Sequence, residues 1–296
     1  MTGAIELHGN GLSAVIEPRG AQLTSLKADW SGELIWQGDA AIWPWHAPNL
    51  FPIVGALADD KLIHRGHAYP MKQHGILRLS DCELVEAVPT RCAFRLADSD
   101  ATRAHYPFAF ALAISFALQD GRLVQQFELT NTGTEPLPAS LGAHPAFRWP
   151  LEPDASRDAY RVSFEQDEPA PIRRLEGRGL GGERPSPVEG RILAPRDELF
   201  TEDALIFDKL RSRRVRFGPA QGLSIELDFA DFPQFGIWTK PGAGFLCLEP
   251  WQGYASPAGF AGEFTEKPGI VTLSPGSTRR WSLSIRPFRA NQEDHR

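Results

Sequence analysis

The sequence predicts an all-β protein built from two large antiparallel sheets packed face to face, with a few short helices as accessories. Three observations carry this reading. Short strand-like stretches bounded by Gly, Pro, Asn or Asp recur along the chain. No segment sustains the apolar period of a helix. Finally, 27 glycines and 25 prolines punctuate the 296 residues, as turn-rich β architectures require.

In chain order, the first strands are expected at 12–17, 21–27 and 33–36, followed by a pair at 82–88 and 91–96. The clearest hairpin joins 108–118 to 122–130 through Asp120-Gly121, a dipeptide that tolerates the positive φ angles of a tight turn. Composition then shifts over 165–198, where Arg173, Arg174, Gly177, Gly179, Gly181, Gly182, Pro185 and Pro187 cluster. An irregular excursion is expected there, inside a single domain spanning 1–296. Further strands are expected at 214–217, 223–229, 234–239, 244–249, 270–273 and 280–286, and the polar tail Asn291–Arg296 is expected to fray.

The formal net charge of −6 supplies no basic field for nucleic acid. No apolar run approaches the ~20 residues of a spanning helix, and Met1 to Asn10 lacks the features of an export signal, so no membrane partner is expected. Three scattered cysteines, Cys82, Cys92 and Cys247, fit a reducing cytoplasm, with Cys82 and Cys92 facing each other across a hairpin as the one conceivable disulfide. His64 and His67 are the nearest approach to a metal motif, yet three residues apart on one strand they would point to opposite faces, so no metal is expected. Gly177 to Gly182 opens no apolar helix and makes a poor phosphate cradle.

Two segments carry candidate chemistry. Alternation along Gly244–Trp251 places Phe245, Cys247 and Glu249 on one face, where desolvation would raise the carboxylate toward general-base range; Pro250 is expected to stop the strand. The bland alternative is a glutamate leaving the core at a rim. His144 stands between small residues and Pro145, open to a ligand and able to exchange a proton near neutrality, or it is a structural histidine. His74 and Arg78 offer hydrogen-bonding groups suited to a polyhydroxylated ligand, or form an ordinary solvated loop. Asp203 is a hydroxyl acceptor or a turn residue. Most of the eight tryptophans are expected in the core, with Trp251 nearest a ligand.

These pieces occur in an order that resembles the aldose 1-epimerase (galactose mutarotase) superfamily, particularly its LacX-like branch. The matching segments are Trp43 with Ala47–Gly55, Gln73-His74-Gly75, Tyr106-Pro107-Phe108, Gly142–Phe147, Asp203–Phe207 and Leu248–Trp251. The resemblance implies a β-supersandwich without metal or cofactor. His144 would act as general acid and Glu249 as general base, converging on opposite sides of a sugar's hemiacetal. It also implies His74 as the second active-site histidine and Asp203 as a hydroxyl-binding carboxylate; Arg78, Asn49 and Trp251 complete the expected sugar-binding set. Three places depart from the family pattern. Trp45 or His46 stands where relatives carry an arginine, and Ala56 where they often carry a basic residue; His74-Gly75-Ile76-Leu77-Arg78 replaces His-Gly-Phe-Ala-Arg.

The implied activity is interconversion of the α and β anomers of an aldohexose, in a cytoplasmic monomer or homodimer whose partner is a small-molecule sugar. Two rivals stand beside it. One is a hexose-6-phosphate 1-epimerase, with Arg65, Lys72, Arg78 and Arg148 as a phosphate clamp. The other is a non-catalytic sugar-binding or sensing protein on the same scaffold.

Overall fold

A computed structural model describes residues 3–291, so all but the first residue of the polar tail lies outside the described residues. Strand accounts for 49% of the structure and helix for 7%, an all-β fold. No helix among the described residues is long and apolar enough to cross a membrane.

The larger sheet has nine antiparallel strands, in the spatial order Ile192–Leu193, Arg161–Phe164, Arg214–Gly218, Gly222–Asp228, Thr278–Ala290, Arg122–Asn131, Phe110–Gln119, Arg91–Ala97 and Glu83–Val88. The Asp120-Gly121 turn adopts the positive φ angles its sequence calls for, 50° and 69°, and the two strands it joins pair in register from Gln119–Arg122 to Phe110–Asn131.

The second sheet has eight strands and carries the site. Six of them are labelled here in chain order: β1 (Asn49–Leu50), β2 (Leu141–Ala143), β3 (Ala146–Arg148), β4 (Leu205–Phe207), β5 (Gln234–Trp238) and β6 (Phe245–Gln252). The path runs from Gly179–Arg184 through Ile172–Glu176 to β4, β5, β6, β2 and β1, with β3 also paired to β6. The sheets pack face to face: Phe164 of the first meets Phe207 of the second with ring centroids 5.3 Å apart, and Phe229, just beyond the first sheet, stacks on Phe235 at 4.7 Å.

Alternation sorts the second sheet into an inner and an outer face. Leu246 and Leu248 of β6, Phe235 and Ile237 of β5, and Leu205 and Phe207 of β4 join the main core, while Phe245, Cys247, Trp251 and Ile206 belong to separate clusters on the far side.

Several expectations need correction. The stretch 165–198 is irregular only in part: it contains the hairpin Ile172–Glu176 to Gly179–Arg184, turning at Gly177 with φ 63°, and Ile192–Leu193 pairs with the nine-stranded sheet. Residues 33–36 make only isolated bridges, because the Glu33 carboxylate itself accepts the Leu26 and Ile35 N–H groups. Pro250 does not end β6, which runs on to Gln252. Its nitrogen faces the same side as the Leu248 N–H, which donates to Pro145, where the neighbouring strand passes from β3 to β2 and needs no donor. Cys82 lies outside the hairpin register that pairs Cys92 with Ala87, and all three cysteines are free. His64 and His67 are directly paired across a hairpin, because Arg65 and Gly66 form its turn. Only Trp149 and Trp281 of the eight tryptophans join the main core.

Candidate active site

The outer face of β4, β5 and β6 forms the wall of a cavity of about 310 Å³. Glu249 is delivered to it by strand alternation, since its neighbours Leu248 and Pro250 point the other way, and the side chain is 1% exposed. His144 sits in the break between β2 and β3, where its backbone N–H donates to Pro48 at 3.0 Å. Its Nε2 lies 3.1 Å from Oε2 of Glu249. The two groups are therefore neighbours on one wall, and do not face each other across a ligand as expected.

Burial dominates the electrostatics of this pair. It pushes the His144 imidazole down to about 3, with the Arg78 charge adding to the effect. Burial also pushes Glu249 well above the usual carboxylate range, reinforced by the nearby Asp203 charge and opposed by the Trp251 indole. Burial thus favours the uncharged form of each group, a neutral imidazole beside a protonated carboxyl.

His74 reaches the same cavity from a loop. Its N–H donates to the Gly55 carbonyl at 2.8 Å, and the Gly55 N–H donates back to its Nδ1 at 3.2 Å. This reciprocal pair locks the Ile53-Val54-Gly55 and Gln73-His74-Gly75 segments together. Because Nδ1 accepts, the neutral ring carries its proton on Nε2. Burial, followed by His144 and Arg78, holds the pKa of His74 well below its ordinary value, so that neutral form persists. His74 adopts φ 64°, and Gly75 follows at φ 78°, where a Cβ would meet the Phe51 carbonyl oxygen at 2.2 Å.

Arg78 lines the cavity, donates to the Gln73 carbonyl at 2.9 Å, and lies over the Trp45 ring at 5.0 Å. The aromatic residue near the place of the usual arginine thus becomes a platform for a different one. Asp203 stands at the rim with φ 66°, its Oδ1 accepting the Ala204 N–H at 2.7 Å. Trp251 lines the cavity, as expected. Two further tryptophans do so without having been singled out as ligand contacts: Trp43, stacked on His144 at 5.2 Å, and Trp238, edge-on to it at 6.0 Å. Trp43 headed one of the matching segments, and Trp238 occupies an outer position of β5, so both carried a signal.

Asn49 is not in the cavity. β1 turns it to the inner face, where its amide donates to Gly20 and Ala21 at 3.0 and 2.7 Å and its Oδ1 accepts from Gln125 at 2.7 Å. It ties the two sheets together. Metal-competent donors also gather away from the His64–His67 hairpin: one donor atom each from His144, Cys247 and Glu249 lie within 4.8 Å of one another.

Comparison with known proteins identifies the family. Residues 4–286 match the family model described as Aldose 1-epimerase. The plasmid-borne protein LacX of Lactococcus lactis subsp. lactis is 30% identical over 293 residues, covering 95% of this chain and 98% of that protein. A galactose mutarotase related enzyme from Lactobacillus acidophilus superposes with a TM-score of 0.91 at 28% identity, over 97% of this chain and 98% of that one. A galactose mutarotase-like protein from Lactobacillus casei gives 0.89 at 30% identity, over 97% and 100%. By sequence, fold and the order of its segments, the chain belongs to the aldose 1-epimerase family.

Proposed function

We propose that this protein is a mutarotase that interconverts the α and β anomers of a free aldohexose by acid–base ring opening. The observation that carries the reading is the buried contact between His144 and Glu249 on the wall of a tryptophan-lined cavity. The anomeric hydroxyl and the ring oxygen are bonded to one carbon, so adjacent proton carriers on one side of the sugar can address both.

Glu249 takes the proton of the anomeric hydroxyl while His144 Nε2 gives one to the ring oxygen, and the bond between C1 and that oxygen breaks. For this, the proton resting on the carboxyl passes to the imidazole as the sugar enters, once the two side chains, 3.1 Å apart, turn into hydrogen-bonding alignment. Rotation about C1–C2 and reclosure run the steps backwards, with Glu249 returning its proton and His144 recovering its own. The pair ends with the single proton it began with. His74 Nε2–H donates to a sugar hydroxyl and Asp203 accepts from one, while Trp43, Trp238 and Trp251 pack against the apolar faces of the ring.

Free sugars are favoured over phosphorylated ones because the proposed phosphate clamp does not converge. Arg78 alone of the four lines the cavity; Arg65 pairs with Glu135 in a separate cleft. A phosphate dianion would also meet Asp203 at the rim. The test is anomer exchange, followed by polarimetry, for glucose, galactose and glucose 6-phosphate. Acceleration of a free hexose, lost by about 10²–10⁴-fold in Glu249→Gln and in His144→Ala, is expected. Sugar binding without acceleration would replace this reading with a sensor, and a preference for the phosphate ester with a hexose-phosphate epimerase.

A further inference from the structure

Cys247 has no part in the proton transfer, yet β6 sets its side chain beside Glu249 on the outer face, with His144 closing over both. All three are buried: Cys247 is 0%, Glu249 1% and His144 6% exposed. Nδ1 of His144 and Oε2 of Glu249 are buried without a hydrogen-bond partner, an uncommon condition for such atoms. Sulfur, imidazole nitrogen and carboxylate oxygen within 4.8 Å form a mixed donor set.

We propose that this cluster is an inhibitory binding site for a thiophilic divalent cation, zinc or cadmium, held by Cys247 Sγ, a ring nitrogen of His144 and the Glu249 carboxylate. The donor set selects the ion: thiolate and imidazole suit zinc and its softer relatives, whereas magnesium and calcium take oxygen ligands. Charge balance supports it, because a dication with one thiolate, one carboxylate and a neutral imidazole sums to zero in a buried place. Bond lengths of ~2.0–2.3 Å require the donors to draw closer by side-chain rotation. On binding, the Cys247 S–H proton and any proton on Glu249 leave to solvent, the three metal–ligand bonds form, and a water retained by the ion takes the fourth position toward the cavity. The ion then occupies both groups that carry protons in the proposed reaction, and sugar and metal exclude each other. The inhibitory part of this inference rests on the mutarotase reading; the binding part does not.

The full-length protein titrated with Co²⁺ tests it. Expected are a thiolate-to-cobalt absorption band saturating at one equivalent, its displacement by Zn²⁺, and inhibition of anomer exchange by Zn²⁺ and Cd²⁺ that EDTA reverses and saturating hexose relieves. Cys247→Ser and Cys247→Ala, checked for folding by circular dichroism, are expected to keep the wild-type exchange rate, lose the band, and need at least tenfold more Zn²⁺ for the same inhibition. Absence of the cobalt band in the wild-type protein, or unchanged Zn²⁺ inhibition in both variants, overturns the proposal. Because the band is read without turnover, a protein that shows it but exchanges no anomers refutes the mutarotase reading and leaves the metal site standing.

Discussion

A Cβ placed on Gly236 would stand 2.3 Å from Cη2 of Trp251, so the indole rests directly on the backbone of the neighbouring strand. On its other side a Cβ at Gly142 would meet Trp251 Cδ1 at 2.6 Å. The cavity wall formed by this ring therefore depends on the absence of side chains at two positions, one on each adjacent strand.

Gly236→Ala is expected to drive the indole into the cavity. Overpacking of this kind costs ~1–3 kcal/mol of stability, and KM for the sugar should rise more than kcat falls. The double variant Gly236→Ala with Trp251→Phe, which shortens the ring, should recover part of the loss. Steady-state kinetics and thermal melts of the three proteins check this; a double variant no better than Gly236→Ala alone would refute it.

The pH profile of exchange follows from the shared proton. His144 takes up a second proton only near its lowered value of about 3, while Glu249, raised by burial, releases the shared proton far above the ordinary carboxylate range. The pair therefore keeps its single proton well above the pH at which His144 charges and beyond the range where an ordinary carboxylate would release it. Activity is expected to stay flat as pH falls from 7 to about 4 and to decline on the alkaline side. A rate that drops between pH 7 and 5 contradicts the single-proton pair.

Asn49 supplies a contrast between structure and catalysis. Removing its amide in Asn49→Ala leaves the Gly20 and Ala21 carbonyls and the Gln125 amide without their partner, at ~1–3 kcal/mol for each buried group left unsatisfied. Denaturant unfolding should register the loss, while kcat/KM per folded molecule stays close to wild type. A selective rise in KM at unchanged stability would return Asn49 to the sugar site.

Lys267 makes stability depend on pH. Its Nζ donates to the Tyr254 carbonyl at 2.6 Å, and burial lowers its pKa from 10.5 to about 7. Between those two values the unfolded chain holds a proton that the folded chain lacks, so this group's contribution to stability rises with pH across the window. Melting temperatures at pH 7, 8 and 9 should show a smaller upward trend in Lys267→Met than in wild type. Equal slopes would exclude Lys267 as the titrating group.

The legible parts of the molecule were those with a local rule behind them. Asp120-Gly121 announced its hairpin, and alternation along Phe245–Glu249 assigned each side chain to its correct face. Strands of two or three residues, such as Asn49–Leu50 and Leu141–Ala143, are too short to show a period and exist because longer neighbours recruit them. The arginine-rich strand Ile172–Glu176 has a single β-branched residue, Ile172, and its place comes from pairing with Gly179–Arg184 and β4. Asn49 belonged to the right segment, yet only the direction of its strand revealed which way it pointed. Trp238 and Trp43 required the fold to bring them to one wall.

Strand β6 has hydrophobic anchors on one side and reactive groups on the other, with no residue between them to absorb a change in length. Adding or deleting one residue there would turn the strand inside out, sending a carboxylate among the phenylalanines and leucines of the interior. Variation in this protein is thus confined along β6 to exchanges of one residue for another, and changes in length fall to the loops that frame the cavity.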